Sequence, residues 1–444
     1  MDQEGGHWQY SRSVNPNGNI QTEVLSAEGN LTTYLDHTDS TGAYTSHITD
    51  PAGAETLYTR SADKLTATKT LPCGMTLDFK SGVDSQYKFQ FVKDIREKTT
   101  SGLERITLRE KTYQDTNADQ TPDLITEKIT LNTKLTTFVT NTLQSKKVLT
   151  SPVGRTTTIF FDPNTILTTK LSIPGLYDTI FLYDARGQLT SISTDIRQTT
   201  LTYDTQGNLS SITDPENQTT IYSYDALGRM TEILLPDSSS IGFSYDKNGN
   251  TTLLTNQSTI NHGFAYNRVN LNSSYQTPLS GSYSYVYNKD KQLTQINFPS
   301  SRQIINIYDK DRVIQTQTPE GNIDFSYLCG SKIDSITKGT ESITYGYDGS
   351  LITSETLNGI LNQSLSYTYN NDFNLMSFTY AGGTVNHTYD NDGLLNGAGA
   401  FTITRNAGNG LPEAVTGVLF NLTRIFNGYG ETEGENFIVN SQNL

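Results

Sequence analysis

A short motif recurs at a fixed interval in the middle of this 444-residue chain, and this repeat constrains the fold more than any other feature. The tyrosines that begin the motif lie 21 residues apart: Tyr203, Tyr224, Tyr245 and Tyr266. A second marker, a proline followed by polar residues, lies nine residues before the next tyrosine at Pro215 and Pro236. A repeat of this period predicts an array in which each unit is covered by its neighbour.

Each period predicts two short strands separated by two turns. Pro215 presets the φ angle of one turn. At the other turn, the side chain of Asp225 can accept backbone hydrogen bonds, and Gly228 can adopt a positive φ angle. In the strand that follows a turn, Leu209 and Ile212 are three residues apart, which indicates either a β-bulge or a sheet with both faces partly buried. A unit of two strands is marginal alone, so the units must stack.

The markers continue on both sides of this central stretch. We predict a regular array of about 21 residues per unit over residues 151–444. Residues 1–150 carry a degraded form of the pattern with irregular spacing, which predicts longer and less uniform strands. The repeat residues that we expect to build the turns are Tyr183, Asp184, Gly187, Tyr203, Asp204, Gly207, Tyr224, Asp225, Gly228, Arg229, Tyr245, Asp246, Gly249, Tyr308, Asp309, Tyr347, Asp348, Tyr389 and Asp390.

Composition narrows the possible partners and location. The formal net charge of -14 argues against a nucleic-acid partner and against binding to an anionic lipid surface. No apolar run approaches the length of a membrane span, so none is predicted. The start of the chain lacks the pattern of a secretory signal, and two interpretations stay open: a piece of a longer protein or a naturally cargo-free member of its kind. For Cys73 and Cys329, two free thiols are favoured over one bridge.

The motif Tyr224-Asp225-Ala226-Leu227-Gly228-Arg229 closely resembles the YD repeats of the Rhs family. That family includes bacterial polymorphic toxins, the shell-forming subunits of insecticidal Tc toxins, wall-associated proteins and teneurins. The resemblance is strongest over residues 174–395. It implies an all-β fold, a continuous array of β-hairpins that spirals into a hollow shell, and a secreted or cell-surface location.

The resemblance also implies two alternative functions without catalysis. Toxin members enclose a cargo polypeptide, so the chain is expected to be a shell segment that encapsulates or presents cargo. The alternative is an adhesion or carbohydrate-binding scaffold of the teneurin or wall-associated type, whose partner is a cell-surface receptor or glycan. Toxin members carry an aspartate-dependent self-cleavage segment after the repeats. Only fourteen residues follow Gly430, so no cleavage role is carried over.

One stretch outside the repeat has the spacing of a short calcium loop. Oxygen-bearing side chains occupy its positions 1, 3, 5, 7 and 9: Asp115, Asn117, Asp119, Thr121 and Asp123. Clustered hard oxygen ligands suit Ca²⁺, with position 7 ligating through its backbone carbonyl, and the ion would be structural. Gln120 stands where the sharp turn favours glycine, so a polar turn between strands is the alternative.

No catalytic residue is predicted. The repeated aspartates lie at turns, where accepting backbone hydrogen bonds accounts for them. The five histidines show no ligand spacing, and no phosphate-binding loop or nucleophile motif occurs. An enzyme hidden in residues 1–150 is supported only by the looser repeat there. The strict position of the tyrosines favours packing between units over a platform for sugar stacking.

Overall fold

The chain folds into antiparallel β-strands. The computed structural model describes residues 2–279 and 281–439. Forty strands of this part of the chain belong to one sheet, and the described residues contain no helix. The prediction of an all-β fold is confirmed.

The strands are numbered in chain order. The first twenty are β1 (Trp8–Val14), β2 (Ile20–Ser26), β3 (Leu31–Thr38), β4 (Tyr44–Thr49), β5 (Glu55–Arg60), β6 (Thr66–Thr70), β7 (Thr76–Val83), β8 (Gln90–Lys98), β9 (Glu104–Gln114), β10 (Leu124–Leu131), β11 (Lys134–Asn141), β12 (Lys146–Thr150), β13 (Thr156–Phe161), β14 (Thr168–Ser172), β15 (Thr179–Tyr183), β16 (Leu189–Thr194), β17 (Arg197–Tyr203), β18 (Leu209–Thr213), β19 (Thr219–Tyr224) and β20 (Met230–Leu234). The second twenty are β21 (Ser240–Tyr245), β22 (Thr251–Thr255), β23 (Asn261–Tyr266), β24 (Asn272–Gln276), β25 (Ser282–Tyr287), β26 (Leu293–Asn297), β27 (Gln303–Asp309), β28 (Arg312–Thr318), β29 (Gly321–Leu328), β30 (Lys332–Lys338), β31 (Glu341–Asp348), β32 (Leu351–Asn358), β33 (Gln363–Tyr369), β34 (Leu375–Tyr380), β35 (Gly383–Tyr389), β36 (Leu395–Ala398), β37 (Phe401–Arg405), β38 (Pro412–Thr416), β39 (Phe420–Phe426) and β40 (Thr432–Val439).

Strands that are consecutive in the chain pair with one another, as β18 pairs with β19 and β19 with β20. This order is the one that a series of hairpins produces, because a tight turn joins antiparallel neighbours. The predicted array of YD hairpins is therefore confirmed as the unit of the fold.

The repeat tyrosines Tyr203, Tyr224 and Tyr245 each lie beside a β-bulge. Thr202 pairs with Ser211 while Tyr203 pairs with Leu209, so Ser210 has no partner opposite it. This extra residue places Leu209 and Ile212 on one face although they are three apart. The structure contains both features that were offered for that spacing, a β-bulge and a strand that is half-buried on both faces.

The described residues form two compact units, which we treat separately. The first comprises the described residues of Met1–Thr59, Thr199–Tyr345 and Thr356–Asn362. The second comprises those of Arg60–Gln198, Gly346–Glu355 and Gln363–Leu444. The division at residue 150 that we drew from repeat regularity is a different kind of boundary and stays a prediction.

Very little of the described chain is buried. Met75, 5% exposed, is the one large apolar side chain among the described residues that is fully buried. The accessible surface is 25898 Å² for 49.1 kDa, whereas a compact monomer of this mass exposes about 17,000 Å². Most strand positions are half-buried on both faces, as in β18 and β22. The fold therefore depends on strand pairing and turns more than on a large apolar core.

Two findings bear on location. The interpretation of Cys73 and Cys329 as free thiols is wrong, because both are disulfide-bonded. In the part of the chain that the structure describes, there is no helix long and apolar enough to cross a membrane.

Candidate functional site

The repeated aspartates build the turns through their own side chains. In the turn after β19, Asp225 Oδ1 accepts hydrogen bonds from the N–H groups of Leu227 and Arg229, at 2.9 and 3.0 Å. Arg229 also donates from Nε to Asp225 Oδ2 at 2.7 Å. The Arg229 side chain and these backbone donors lower the pKa of Asp225. Gly228 has a φ angle of 77°, which glycine adopts without strain.

The other repeat residues take equivalent places. Turn aspartates accept a hydrogen bond from the N–H four residues later at Asp184, Asp204, Asp246 and Asp390. The glycines with a positive φ angle in these turns include Gly187, Gly207 and Gly249. The remaining predicted residues lie at or next to the ends of strands: Tyr183, Tyr203, Tyr224, Tyr308, Asp309, Tyr347, Asp348 and Tyr389.

The tyrosines of the repeat link neighbouring hairpins through their hydroxyl groups. Tyr245 donates to the Met230 carbonyl at 2.6 Å, and Tyr308 donates to the Leu293 carbonyl at 3.0 Å. Both tyrosines are half-buried, and burial raises the pKa of Tyr308. A ring held against the neighbouring hairpin has less surface for a sugar, so this geometry favours the packing interpretation.

In the second unit, a row of turns contacts another row that lies more than 230 positions earlier in the chain. We call this row of contacts the turn seam. Its members are Asp348 with Thr100 and Ser101, Asp372 with Asn132 and Lys134, Asp392 with Ser151 and Arg155, Asn409 with Pro174, and Tyr429 and Glu431 with Asp195 and Arg197.

Asp348 is the most buried carboxylate of the turn seam. It is 7% exposed and accepts hydrogen bonds from Thr100 Oγ1 at 2.8 Å, from the Ser101 N–H at 2.9 Å and from Ser101 Oγ at 2.5 Å. Burial alone would raise the pKa of this carboxyl. The donors from Ser101, Thr99 and Thr100 outweigh burial and lower the pKa to about 2. The carboxylate is thus held in its charged form by the turn that it contacts.

Arg155 is shared between two carboxylates of one turn. Its Nη1 lies 2.9 Å from Asp390 Oδ2 and 2.5 Å from Asp392 Oδ2. All three side chains are at most 16% exposed. Although burial disfavours the charged guanidinium, the two carboxylates raise the pKa of Arg155. Asp392 also accepts hydrogen bonds from Ser151 and from the Val153 N–H, so one turn is held by charge and by hydrogen bonds.

The seam continues with an exposed ion pair. Arg197 donates to both carboxylate oxygens of Glu431, at 2.6 and 2.9 Å, and its guanidinium lies 3.8 Å from the Tyr429 ring centroid. The Arg197 side chain, together with Asn427, lowers the pKa of Glu431 to about 2. The Tyr429 hydroxyl donates to Asp195 at 3.1 Å. Arginine, tyrosine and two carboxylates therefore join these two turns.

The first unit has a comparable contact within itself. Asp290 accepts hydrogen bonds from Ser26 Oγ, from Asn30 Nδ2 at 2.7 Å and from the Glu28 N–H at 3.2 Å. Glu28 in return accepts from the Lys289 N–H at 2.9 Å. Turn-to-turn contact through carboxylates thus occurs in each unit by itself.

Sequence reasoning did not identify the seam. For Asp372 and Asp392 the signal is an aspartate at the third residue of the turn, a place that Asp290 also occupies in the first unit, whereas Asp348 is the repeat aspartate and carries no such signal. Earlier turns have Arg186 or Leu227 at that place. The difference is visible in the sequence, but its partners are hundreds of positions away and no local rule names them.

The predicted calcium loop lies between β9 and β10, and its carboxylates engage the loop's own donors. Asp115 accepts from the N–H groups of Asp119 and Gln120, at 3.3 and 2.8 Å. Asp123, 4% exposed, accepts from the N–H and Oγ1 of Thr116 at 2.9 and 2.8 Å. Nowhere in the described residues do three or more His, Cys, Asp or Glu side chains converge to hold a metal ion. This geometry favours the polar turn, and calcium binding stays a prediction.

Fold and turns define the chain as a YD-repeat β-array. A family model described as Teneurin YD-shell matches residues 23–444. The chain belongs to this family, and the resemblance drawn from the motif is confirmed.

Comparison with a solved structure agrees with this fold. The crystal structure of TcdB2-TccC3 is 12% identical with a TM-score of 0.50 and matches 96% of this chain. The TcdB2-TccC3-Cdc42 crystal structure is 13% identical with a TM-score of 0.49, also over 96% of this chain. This chain spans only 29% of the length of each of those chains. No curated protein sequence matches it significantly.

Proposed function

We propose that the chain is a non-enzymatic wall segment of a YD shell that encapsulates or presents a cargo polypeptide. The observation that carries this proposal is that very few apolar side chains are fully buried. The accessible surface of this sheet is about half as large again as that of a compact monomer of the same mass. Such a sheet is suited to enclosing another polypeptide. Membership of the YD-shell family supports the same role.

A secreted or cell-surface location belongs to this proposal. Disulfide-bonded Cys73 and Cys329 support it, because disulfides persist in oxidising compartments. The net charge of -14 favours solubility, and it disfavours binding to nucleic acid or to an anionic membrane.

Small-angle X-ray scattering of the monodisperse protein tests the wall. A filled globule of this length has a radius of gyration of about 22 Å. We expect a clearly larger value, with pair distances skewed to long separations as for a curved wall around solvent. A value at the compact estimate would mean that the array packs on itself, and the cargo proposal would be abandoned.

The second candidate is an adhesion scaffold that binds a receptor or glycan. The observation that favours it is a pair of adjacent apolar side chains between β32 and β33, Ile360 and Leu361, which are 96% and 61% exposed. Exposed apolar groups of this kind are common at contact surfaces when they cluster. Cell-attachment assays and glycan arrays test this candidate. Loss of cell attachment in Ile360→Ser would support adhesion, and the absence of binding in both assays would rule the adhesion scaffold out.

A further inference from the structure

The first strand of the first unit has a free edge. Among the described strands, β1 pairs with β2 along its whole length, and no strand lies on its other side. The ladder runs without a register shift from Trp8, opposite Ser26, to Val14, opposite Ile20. The backbone N–H and C=O groups on the outer side of β1 therefore have no strand to pair with. This edge can accept one more antiparallel strand.

The side chains of β1 are exposed on both faces. It is the one described strand in which every residue is exposed. Trp8, Tyr10 and Val14 lie on one face, where they are 59%, 72% and 69% exposed, and polar residues lie on the other. A strand with this alternation normally buries its apolar face. On β2 the same face continues with Val24 and Ile20, which are half-buried, so the apolar face ends in an uncovered row at β1.

The edge carries none of the features by which natural sheets protect a free edge. Such edges commonly carry a lysine, a proline or a bulge. The sequence of β1 is Trp-Gln-Tyr-Ser-Arg-Ser-Val, in which Arg12 is the one charged residue. Its ladder with β2 contains no bulge. An edge of this kind is open to the addition of a further strand.

The sequence of β1 is complementary to itself when two copies run antiparallel about Ser11. This register pairs Trp8 with Val14, Gln9 with Ser13, Tyr10 with Arg12, and Ser11 with its own copy. The large apolar side chain at each end meets an apolar one. The guanidinium of Arg12 meets the ring of Tyr10, and no like charges lie directly opposite each other. Both apolar rows fall on the same face, because the two-fold axis is perpendicular to the sheet.

We propose that β1 is the interface of a homodimer, in which the β1 strands of two copies of this chain pair edge to edge about a two-fold axis at Ser11. The occupant is a second copy rather than a charged peptide, because six of the seven residues of the strand are uncharged and offer no counter-charge. The two-fold contact covers both β1 edges at once, since each copy presents the same edge to the other.

The homodimer does not depend on the container function, because the two β1 edges pair whether or not the sheet encloses cargo. A strand of seven residues forms a small interface, so we expect the dimer to dissociate on dilution.

Sedimentation equilibrium of the full chain measures the assembly. We expect reversible formation of a species with twice the monomer mass of 49.1 kDa. Only monomer at every concentration up to about 100 μM would overturn the homodimer. A series of species larger than the dimer would also overturn it, because a contact between unlike edges leaves one edge open to further copies.

Two substitutions of opposite charge at Tyr10 test the register. Tyr10→Lys places a cation opposite Arg12 of the second copy, whereas Tyr10→Glu places a carboxylate there. Both variants lose the same ring, so a contact that depends only on apolar surface would weaken equally in both. We expect the dissociation constant of the dimer to be about tenfold or more higher in Tyr10→Lys than in Tyr10→Glu.

Leu227→Lys is the control for the substitutions at Tyr10. Leu227 is an apolar residue, 77% exposed, in a turn of the same unit, and its replacement should leave the dissociation constant unchanged. Circular dichroism checks that each variant is folded. Equal dissociation constants in Tyr10→Lys and Tyr10→Glu would contradict the proposed register.

Cysteine cross-linking locates the two-fold axis. Both native cysteines are disulfide-bonded, so a new cysteine supplies a free thiol. Oxidation should cross-link Ser11→Cys into a dimer on a non-reducing gel, because the two Ser11 side chains face each other at the axis. Gln9→Cys is the matched control on the same face, since the two Gln9 positions are displaced by about 13 Å along the strands. Cross-linking of Gln9→Cys in preference to Ser11→Cys, or of neither variant, would refute this pairing.

Discussion

Turns between residues 204 and 250 in the first unit and turns between residues 348 and 431 in the second unit share one backbone design but differ in their contacts. In the first group, Arg229 bonds its own Asp225 and the Asp246 carbonyl of the adjacent turn. In the second, Asp348 and Asp392 bond turns 237 to 248 positions earlier. The two groups therefore differ in whether a side chain of the turn also reaches a distant segment. That side chain can be the repeat aspartate itself, as at Asp348, or a later residue of the turn, as at Asp392.

Arg155→Ala gives the largest expected effect, because it leaves Asp390 and Asp392 half-buried without a cation. We expect the free energy of unfolding to fall by about 3 kcal/mol, as when one partner of a buried pair is removed. Urea unfolding followed by circular dichroism measures it.

Arg229→Ala is the matched control for Arg155→Ala. Arg229 is 29% exposed and serves neighbouring turns, so its loss should cost about 1 kcal/mol or less. Equal losses of unfolding free energy in the two variants would show that turns of the turn seam do not differ from turns outside it.

Asp348 should make stability depend on acid pH. Its pKa is about 2 in the folded chain against an ordinary value of 3.8. A lowered pKa contributes stability that is complete above the ordinary value and is lost as pH falls towards 2. The contribution at neutral pH is about 2 kcal/mol. In urea unfolding across this range, Asp348→Asn should be less stable than wild type at neutral pH, and the difference should shrink below pH 3.8. A constant difference would show that the charge does not matter.

Gly228→Ala tests a turn that lies outside the turn seam. The φ angle of 77° strains any side chain, although a Cβ would meet only Asn208 Oδ1 at 3.6 Å. We expect a loss of about 1 kcal/mol in thermal or urea unfolding. Gly242→Ala is the control, since it lies in β21 with ordinary contacts to Thr255 at 3.7 Å and without a positive φ angle. A loss at Gly242 as large as that at Gly228 would mean that conformation is not the cause.

Calcium is expected to have the smallest effect. Asp115 and Asp123 already accept hydrogen bonds from their own loop, so adding Ca²⁺ should leave the Tm unchanged. A rise in Tm that Asp119→Ala abolishes would instead establish the calcium loop.

The local design was readable from the sequence because it depends on neighbours in the chain. Asp225 and Gly228 form a turn within five residues, so their types suffice to predict it. The bulge at Ser210 left its trace in the spacing of Leu209 and Ile212, but the spacing alone had a second interpretation. The strand pattern is read from residue types close together in the chain.

The turn seam could not be predicted from the sequence. Asp392 looks like any polar turn residue until Arg155 is placed beside it, and that placement depends on how far the sheet advances over 237 residues. The bulge that leaves Lys93 of β8 without an opposite partner also has no recognisable signal in that strand. The disulfide-bonded state of Cys73 and Cys329 was also missed, since the sequence pattern around a lone cysteine does not show whether it is oxidised.

The most direct test of the seam is a double-mutant cycle on Arg155→Ala and Asp392→Ala, measured by urea unfolding. If these side chains join turns that are distant in the chain, the two losses will not add, and the coupling energy will be at least about 1 kcal/mol. Losses that add within about 0.5 kcal/mol would mean that the two residues act independently, and would contradict the turn seam.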